Sequence, residues 1–303
     1  MKNHSNSNEK IVCPCGSPAH SLFKLRGFEF FDCESCTLRF VSPRYLAADI
    51  YDNDYFQGAS HGFGFTNYED DKIASRAYLV KFLKWIKKYS HKSKNSLLDV
   101  GAANGYFVKL ANDYGFNASG VEISNSAVEW AKKLDRPVFQ GTLETMEDDN
   151  IYEVITALDV LEHVPEPLNF LITARNRITD DGILLINVPN LGSIFSKLSG
   201  KKWHAYLPPE HWIYFNKNSI NKMLNMAGFE VIDSKAISKS FTFGYVYLTI
   251  ANSPQIPKAI RIMFKALNNI FPIGKIKLRI YLPLFDNLTV IAKPIKEIKP
   301  QEI

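Results

Sequence analysis

A short apolar strand followed by a turn of small residues constrains the fold of this chain more than any other stretch. The run LLDVGAANGYF, residues 97–107, predicts a buried strand interrupted by Asp99 near its carboxyl end. A helix begins where the turn ends. A strand, turn and helix of this kind let a ligand approach the backbone and meet the positive end of the helix. The small residues of the turn are Gly101, Ala103 and Gly105.

A second candidate strand, Ala118–Glu122, ends on a carboxylate 17 residues after Gly105. If the intervening helix packs back with the usual right-handed crossover, Glu122 lies beside the turn. A carboxylate there can accept hydrogen bonds from both hydroxyls of a ribose. The pattern alone also suits a nicotinamide or flavin site. Asp99 argues against that alternative, because an acid before the first glycine suits a cationic or amino-bearing ligand better than a pyrophosphate.

Strands and helices alternate from residue 96 onward, which predicts a parallel α/β sheet with helices on both faces. The predicted strands are Ser96–Val100, Ala118–Glu122, Pro137–Gln140, Val154–Leu158, Ile183–Val188, Glu230–Ala236 and an antiparallel Leu288–Lys293. The predicted helices are Glu69–Tyr89, with Ile73, Ala77, Val80, Leu83 and Ile86 on its apolar face, and Tyr106–Tyr114, Ser124–Leu134, Pro165–Arg177 and Ser219–Ala227.

The motif D-x-G-x-A-x-G resembles the first motif of class I S-adenosylmethionine-dependent methyltransferases, with Ala103 at the middle glycine. Further along, ALDVLEHVPEP resembles the family's D-x-x-x-H-x-x-x-P region, and DDGILLINVPN resembles its P-G-G-x-L-x-I-x-x-P strand. The segment that ends at Phe215 resembles P-x-H-x-x-x-F-[ST], with Asn216 in the last position. The resemblance implies a seven-stranded Rossmann-like methyltransferase sheet and S-adenosylmethionine as the cofactor.

The resemblance also implies which residues hold the cofactor. Asp99 and the turn from Gly101 to Gly105 would hold the methionyl end, and Glu122 would hold the ribose. The adenine would lie between residues that follow the third strand. These flanking residues are Thr142 and Leu143, and Asp159 adds a carboxylate at the same edge, where open α/β sheets bind ligands.

Two histidines are the candidates for the catalytic base. His163 follows the fourth strand, and His211 belongs to a later loop rich in Trp and Tyr that predicts a substrate surface. Histidine titrates near neutrality, so either could take a proton from the methyl acceptor. A hydrogen bond from His163 to backbone is the alternative. Asp159, Glu162 and His163 also resemble the acid-acid-His set that binds a divalent cation in ubiquinone-pathway O-methyltransferases.

All four cysteines of the chain lie near its start, as C-P-C and C-E-S-C with 17 residues between the pairs. Each pair fits one tight turn, and the paired spacing is typical of a four-thiolate structural zinc site. Phenylalanines between the pairs predict short strands, as in a zinc ribbon. The segment resembles the N-terminal zinc-binding segment of bacterial sugar C-methyltransferases and their relatives. The predicted ligands of this Zn²⁺ are Cys13, Cys15, Cys33 and Cys36.

Length and charge set limits on the rest. The chain has 303 residues and a net charge of +5, too weak to indicate nucleic acid as a partner. The polar start of the chain lacks a signal peptide, so we expect reduced thiols and a cytoplasmic protein. The predicted organisation is a disordered tail 1–10, a zinc-ribbon-like module 11–45, an aromatic linker and helix 46–95, a methyltransferase domain 96–293 and a tail 294–303.

Residues 240–285 form a basic insertion without acids in the predicted domain. Its apolar residues recur at three- and four-residue steps, as one helix face requires. A basic face beside an apolar face suits a helix on an anionic membrane surface, whereas a lid packed on the domain is the alternative. The predicted apolar face comprises Ile260, Met263, Phe264, Leu267, Ile270 and Phe271, with Lys258, Arg261 and Lys265 on another face.

The sequence therefore predicts an enzyme that methylates a small molecule. Its zinc-bearing start favours a sugar or nucleotide-sugar acceptor. A lipid or quinone precursor at a membrane surface is the alternative, because of the basic insertion. A nicotinamide-dependent oxidoreductase and a non-catalytic partner-binding protein are the two other classes, and Asp99 and Glu122 argue against them.

Overall fold

The computed structural model describes most of the chain, with gaps. The described residues are 11–42, 69, 72–73, 75–90, 95–146, 150–238, 240–244, 247, 251, 257–276, 278–281 and 286–296. The predicted disordered tail 1–10, the aromatic segments within 43–68 and the end of the tail from 297 lie outside these residues.

The N-terminal part folds as three antiparallel strands, β1 (Ala19–Leu25), β2 (Phe28–Cys33) and β3 (Arg39–Ser42). Arg26 and Gly27 connect β1 to β2, and both have positive φ, 53° and 83°. A two-residue turn of that kind matches the twist of a hairpin. Phe30 and Phe40 are buried between the small sheet and the rest of the protein. We call residues 11–42 the cysteine module.

The larger part of the chain alternates strands and helices. It begins with α1 (Arg76–Tyr89), β4 (Ser96–Val100), α2 (Tyr106–Asp113), β5 (Asn117–Glu122), α3 (Asn125–Lys133), β6 (Val138–Gln140) and β7 (Tyr152–Leu158). It continues with α4 (Pro167–Asn176), β8 (Ile178–Pro189), α5 (Ile194–Ser199), β9 (Ile213–Tyr214), α6 (Lys217–Met226) and β10 (Phe229–Ile237). The last elements are β11 (Ser240–Thr242), α7 (Lys258–Ile270), β12 (Arg279–Tyr281) and β13 (Asn287–Pro294).

Seven of these strands form one sheet in the order β10-β13-β8-β7-β4-β5-β6. The pairs β8-β7, β7-β4, β4-β5 and β5-β6 are parallel, and β13 is antiparallel to both of its neighbours. Apolar residues of β4, β7 and β8 are buried. The predicted fold class, a seven-stranded Rossmann-like sheet with an antiparallel last strand, is confirmed.

Strand β9 joins the cysteine module to the seven-stranded part of the protein. It pairs with β3, so that Phe40 lies opposite Ile213 and Arg39 opposite Tyr214. Together β1, β2, β3 and β9 form a four-stranded sheet. The Val41 N–H also donates to the Trp212 carbonyl at 2.9 Å. The loop that carries His211 is thereby held by strand pairing with the start of the chain.

Some predicted elements differ from the structure. The helix predicted over Glu69–Tyr89 is continuous only from Arg76, as α1. Ile73 and Ala77, which the sequence predicts to lie on its apolar face, are exposed. Strand β8 begins at Ile178 rather than Ile183. Its pairing with β7 shifts register between the pairs Tyr152–Ile178 and Val154–Ile183, so residues 179–182 are an irregular part of the strand. None of the helices in the described part of the chain is long and apolar enough to cross a bilayer.

Candidate active site

The turn after β4 has the backbone that its small residues predict. Gly101 and Gly105 have φ of 69° and 72°, and Ala103 has 48°. A Cβ on Gly101 would come within 2.5 Å of Val160 Cγ2, and one on Gly105 within 2.8 Å of a valine methyl carbon. Glycine is therefore required at both positions, by conformation and by space. The contact with Val160 also packs this turn against the loop that follows β7.

Glu122 holds the turn from the end of β5. Its Oε2 accepts the Ala103 N–H at 2.8 Å, and its Oε1 accepts the Ser124 N–H at 2.9 Å. Burial raises the pKa of this carboxyl, and the bonds from backbone N–H groups oppose that rise. A carboxylate has about four lone-pair sites, so both oxygens keep capacity for the hydroxyls of a ribose.

Asp99 and Asn104 place two buried acceptors beside the turn. Thr156 Oγ1 donates to Asp99 Oδ1 at 2.6 Å, and burial raises the pKa of Asp99 to about 7. Asn104 Oδ1 is buried and has no hydrogen-bond partner within the described part of the chain. A ligand that brings positive charge or N–H donors would satisfy both groups. The methionyl end of S-adenosylmethionine is such a ligand, so these residues fit the cofactor.

Sequence reasoning missed the role of Asn104, because an Asn inside a glycine-rich turn reads as a turn residue. Its side-chain nitrogen donates to Glu69 at 2.6 Å. Arg136 pairs with Glu69 at 2.7 Å and donates to the Asn104 carbonyl at 2.9 Å. These contacts fix the orientation of the Asn104 amide, so its oxygen is the atom left for a ligand.

The residues predicted to flank the adenine differ in exposure. Thr142 is half-buried, and its N–H donates to Thr145 Oγ1 at 2.8 Å. Leu143 is fully buried among core side chains. Thr142 is therefore the more accessible of the pair, and the assignment of both to the adenine stays a prediction.

Asp159 directly follows β7 and has a positive φ of 58°. Its Oδ1 accepts from Asn187 Nδ2 at 2.6 Å, and Thr289 Oγ1 donates to Asn187 Oδ1 at 2.7 Å. Asn187 thus fixes the orientation of Asp159 from the neighbouring strand. Sequence reasoning missed Asn187. The available signal was a single polar residue within the apolar run ILLINVP.

His163 and His211 lie edge to face, with ring centroids 4.7 Å apart and planes at 83°. His163 Nδ1 is 2.8 Å from the Glu210 carbonyl oxygen, and His211 Nδ1 is 2.8 Å from the Ala205 carbonyl oxygen. Because a carbonyl only accepts, each Nδ1 carries the hydrogen. In the neutral rings each Nε2 therefore keeps a lone pair. The structure brings together the two predicted catalytic residues.

A buried carboxylate completes this cluster. Glu162 Oε1 is 3.9 Å from His163 Nε2, and one donor atom from each of Glu162, His163 and His211 lies within 4.8 Å of the others. Two imidazoles and one carboxylate can share a proton, or they can hold a divalent cation. The sequence motif suggests Asp159, Glu162 and His163 as a cation-binding set. In the structure the third member of the group is His211 and not Asp159.

The aromatic residues of the His211 loop do not form the substrate surface that the sequence predicts. Trp203, Trp212 and Tyr214 are almost fully buried. Tyr214 stacks on Phe30 of the cysteine module, with ring centroids 5.5 Å apart. These side chains form the core between the module and the sheet. Their burial holds the loop in place and leaves His211 half-buried.

The four cysteines converge at the end of the small sheet. Cys13 Sγ lies 3.7 Å from Cys36 Sγ, and Cys15 Sγ lies 3.5 Å from Cys33 Sγ. All four sulfurs lie within 4.8 Å of one another, and none forms a disulfide. Zn–S bonds of about 2.3 Å in a tetrahedron separate sulfurs by about 3.8 Å. The arrangement therefore fits a four-thiolate zinc ion.

A family of methyltransferase domains matches residues 73–234, which is 162 of the 303 residues. The chain belongs to this family. A solved complex between the Haloferax volcanii Trm112 methyltransferase activator and a methyltransferase aligns over 76% of this chain and 92% of that chain, with a TM-score of 0.52 and 12% identity. That similarity supports the fold, and the prediction of a class I S-adenosylmethionine-dependent methyltransferase is confirmed.

Two relatives of this methyltransferase are named ubiquinone biosynthesis O-methyltransferase. The protein from Rickettsia typhi is 30% identical over 119 residues, which cover 37% of this chain and 48% of the relative. The protein from Rickettsia canadensis is 26% identical over 177 residues, which cover 53% of this chain and 72% of the relative. The chain thus spans about half the length of the first relative.

Proposed function

We propose that this methyltransferase transfers the methyl group of S-adenosylmethionine to a hydroxyl oxygen of a quinone precursor. Two observations support the acceptor class. The relatives from Rickettsia are named for O-methylation in ubiquinone biosynthesis. Two histidines, each with its Nδ1–H on a backbone carbonyl, lie side by side in the loops after β7 and before β9, and a hydroxyl acceptor needs a proton acceptor of this kind. The names of the relatives favour this acceptor over the sugar or nucleotide-sugar predicted first.

The cofactor is proposed to bind along the carboxyl ends of β4 and β5. Asp99 and Asn104 accept from its amino group, and the N–H groups of the turn approach its carboxylate. Glu122 binds the ribose, and Thr142 and Leu143 flank the adenine. When bound, S-adenosylmethionine supplies a methyl group on a positively charged sulfur. The residues of the turn orient that group toward the loop after β7.

His163 is the proposed base. Its Nδ1–H is held by the Glu210 carbonyl, so its Nε2 accepts the proton of the acceptor hydroxyl. Glu162, buried 3.9 Å away, stabilises the imidazolium that results. The loop after β7 contacts the cofactor turn through Val160 and Gly101, which keeps the base close to the bound cofactor. The pairing of the two histidines is the observation that carries this proposal.

A divalent cation on Glu162, His163 and His211 is the second candidate for activating the acceptor. The three donor atoms lie within 4.8 Å of one another, and each histidine has its Nδ1–H on a carbonyl, as metal-bound histidines commonly do. A cation there would lower the pKa of an acceptor hydroxyl by direct contact. An Nε2 lone pair that binds a cation cannot also accept a proton, so His163 cannot be a cation ligand and the base at the same time.

We also propose one structural zinc ion in the cysteine module. Cys13, Cys15, Cys33 and Cys36 would fill its coordination shell, which leaves no position for a substrate. The hydrogen bond with Cys13 lowers the pKa of Cys36, which favours thiolate character in this cluster. A cation would relieve the repulsion that further deprotonation creates.

The experiment is a methyl-transfer assay on the purified protein with a panel of acceptors. The panel contains a prenylated catechol, its mono-methyl ether, a nucleotide-sugar and a free sugar. We expect one added methyl on the catechol oxygen by mass spectrometry, and none on the sugars. Methylation of the nucleotide-sugar with the catechol unchanged would contradict the proposed acceptor class. Turnover with a nicotinamide cofactor instead would contradict methyl transfer itself.

A further inference from the structure

Helix α7 carries a large apolar surface that the protein leaves exposed. None of its 13 residues is buried. The exposed fractions of Met263, Ile270 and the adjoining Phe271 are 51%, 69% and 63%. Monomeric soluble proteins rarely leave a continuous apolar stripe of this kind open, and such stripes commonly mark contact with a protein or a membrane.

One side of α7 is anchored, and this defines which side is open. Tyr247 donates its hydroxyl to the Phe264 carbonyl at 2.7 Å, and the two rings lie 4.8 Å apart. Gly274 donates to Asn268 Oδ1 at 2.7 Å. At about 100° per residue, Phe264 and Asn268 lie on one side of the helix. The open arc comprises Ile260, Met263, Leu267 and Ile270, all of them exposed.

Positive charge lies on the face of α7 opposite this open arc. Lys258 and Lys265 lie on the side of the helix opposite Met263, and both are exposed. The sequence contains no Asp or Glu between Asp233 and Asp286. The basic residues of the same stretch are Lys235, Lys239, Lys258, Arg261, Lys265, Lys275, Lys277 and Arg279. An apolar arc within a basic segment that contains no acids complements an anionic lipid bilayer, whose acyl chains are apolar and whose head groups carry negative charge.

The location of α7 relates this surface to the active site. The insertion leaves the sheet after Ile237 and returns at Asn287, which pairs with Ile237 on one side and with Pro189 on the other. Pro189 ends the parallel strand β8. The insertion therefore begins and ends at the carboxyl edge of the sheet, where the cofactor turn and the two histidines lie.

We infer that α7 and the adjoining turn bind the surface of an anionic lipid bilayer. The open arc enters the boundary between head groups and acyl chains, and the lysines contact lipid phosphates. Phe271, Ile276 and Leu278 extend the apolar area beyond the helix. Binding in this orientation presents the carboxyl edge of the sheet to the membrane. Membrane binding by α7 does not depend on the proposed function. Its suggested purpose, access to an acceptor with a lipid tail, does rest on that function.

The test is co-sedimentation of the full chain with vesicles. One set contains phosphatidylcholine alone, and the other an equal mixture of phosphatidylcholine and phosphatidylglycerol. We expect pelleting with the anionic set. One basic residue near such a surface is worth about 1 kcal/mol, which is about fivefold in binding. Lys258→Gln combined with Lys265→Gln should therefore weaken binding by about 25-fold.

Matched variants control for charge and for folding. Lys132→Gln with Lys133→Gln removes the same charge from α3, which packs near the opposite edge of the sheet, and should leave vesicle binding unchanged. Met263→Asp with Ile270→Asp should abolish binding, whereas Ile151→Asp with Ile172→Asp, at exposed positions elsewhere, should not. Methylation of a short-chain catechol should stay at the wild-type rate in the Met263→Asp, Ile270→Asp variant.

Absence of pelleting with anionic vesicles would overturn the inference. Equal loss of binding in the α3 variant would also overturn it, because net charge rather than α7 would then control binding. Formation of a stable complex with an acidic protein, combined with no vesicle binding, would assign the surface to a protein partner. Loss of methylation of every acceptor by the wild-type chain would contradict the proposed function and leave the vesicle result intact.

Discussion

His163 and His211 present their rings edge to face at 4.7 Å, although one follows β7 and the other lies in the loop before β9. Each ring is held by a 2.8 Å bond between its Nδ1 and a backbone carbonyl. Both rings are therefore held in the same tautomer when neutral, with Nε2 as the reactive atom. A single proton or a single cation fits between them more readily than two charges.

Substitution of the proposed base should separate turnover from cofactor binding. We expect His163→Gln to lower kcat by about 10²–10⁴-fold, which is the range for loss of a general base. Affinity for S-adenosylmethionine should stay unchanged, because the residues proposed to hold it lie on or just after β4, β5 and β6, whereas His163 follows β7. Initial rates and isothermal titration calorimetry measure the two effects. His20→Gln, at an exposed position on β1, is the matched control.

Two outcomes would revise these roles. If His211→Gln loses turnover while His163→Gln retains it, His211 is the base. If a chelator removes activity and Mg²⁺ restores it, the cluster holds a cation and the free-base role of His163 is wrong. Zinc measured on the same samples shows whether the cysteine module kept its metal during chelation.

Loss of the Glu122 carboxylate should weaken cofactor binding. We expect Glu122→Ala to cost about 1–3 kcal/mol in affinity, as for other hydrogen bonds to a charged group. Part of that loss comes from the turn, because Glu122 Oε2 also holds the Ala103 N–H. Glu122→Gln keeps one carbonyl acceptor and should lose less. Calorimetric affinity that is the same in Glu122→Ala and in the exposed control Glu129→Ala would remove this assignment.

The parts of this site that could be predicted from the sequence are those whose residues are close together along the chain. Asp99, the glycine turn and Glu122 belong to one strand-turn-helix-strand unit, so their spacing determines their arrangement. The contact between His163 and His211 depends on where a loop some 50 residues away packs, and no local pattern encodes it. The pairing of Phe40 with Ile213 is more distant still. The same pairing explains why the aromatic loop is buried rather than open to a substrate.

Affinity for the cofactor should depend on pH through Asp99. Burial raises the pKa of this carboxyl to about 7, far above that of an exposed aspartate, so the free protein holds the proton below that pH. The amino group of the ligand favours the ionised form, and binding must release the proton. Affinity should therefore rise about tenfold per pH unit below pH 7 and level off above it.

Calorimetry between about pH 5.5 and about pH 8, in buffers of different ionisation enthalpy, measures both the slope and the proton released. Asp99→Asn removes the titrating group and should bind weakly with no slope in this range. An affinity that does not change across the range in the wild-type protein would contradict the contact between Asp99 and the amino group.

Zinc in the cysteine module should support catalysis from a distance. The Val41 N–H donates to the Trp212 carbonyl at 2.9 Å, and the Trp212 N–H donates to the Glu162 carbonyl at 2.9 Å. Metal loss should loosen β3, and through it the positions of Glu162 and His211. A small displacement of catalytic groups can cost up to about 10²-fold in rate. We expect Cys33→Ser to lower kcat on that scale, with cofactor affinity unchanged.

Metal analysis of protein purified without added zinc should find about one equivalent, as a closed four-thiolate site requires. Ser35→Ala alters the same turn without removing a thiolate, and should retain both the zinc and the rate. Should Cys33→Ser fail to fold, thiol titration of the native wild-type protein still decides the matter. Four reactive thiols and no metal would contradict the zinc site. Zinc loss with an unchanged kcat would instead show that the strand pairing of β3 with β9 holds the His211 loop without the metal.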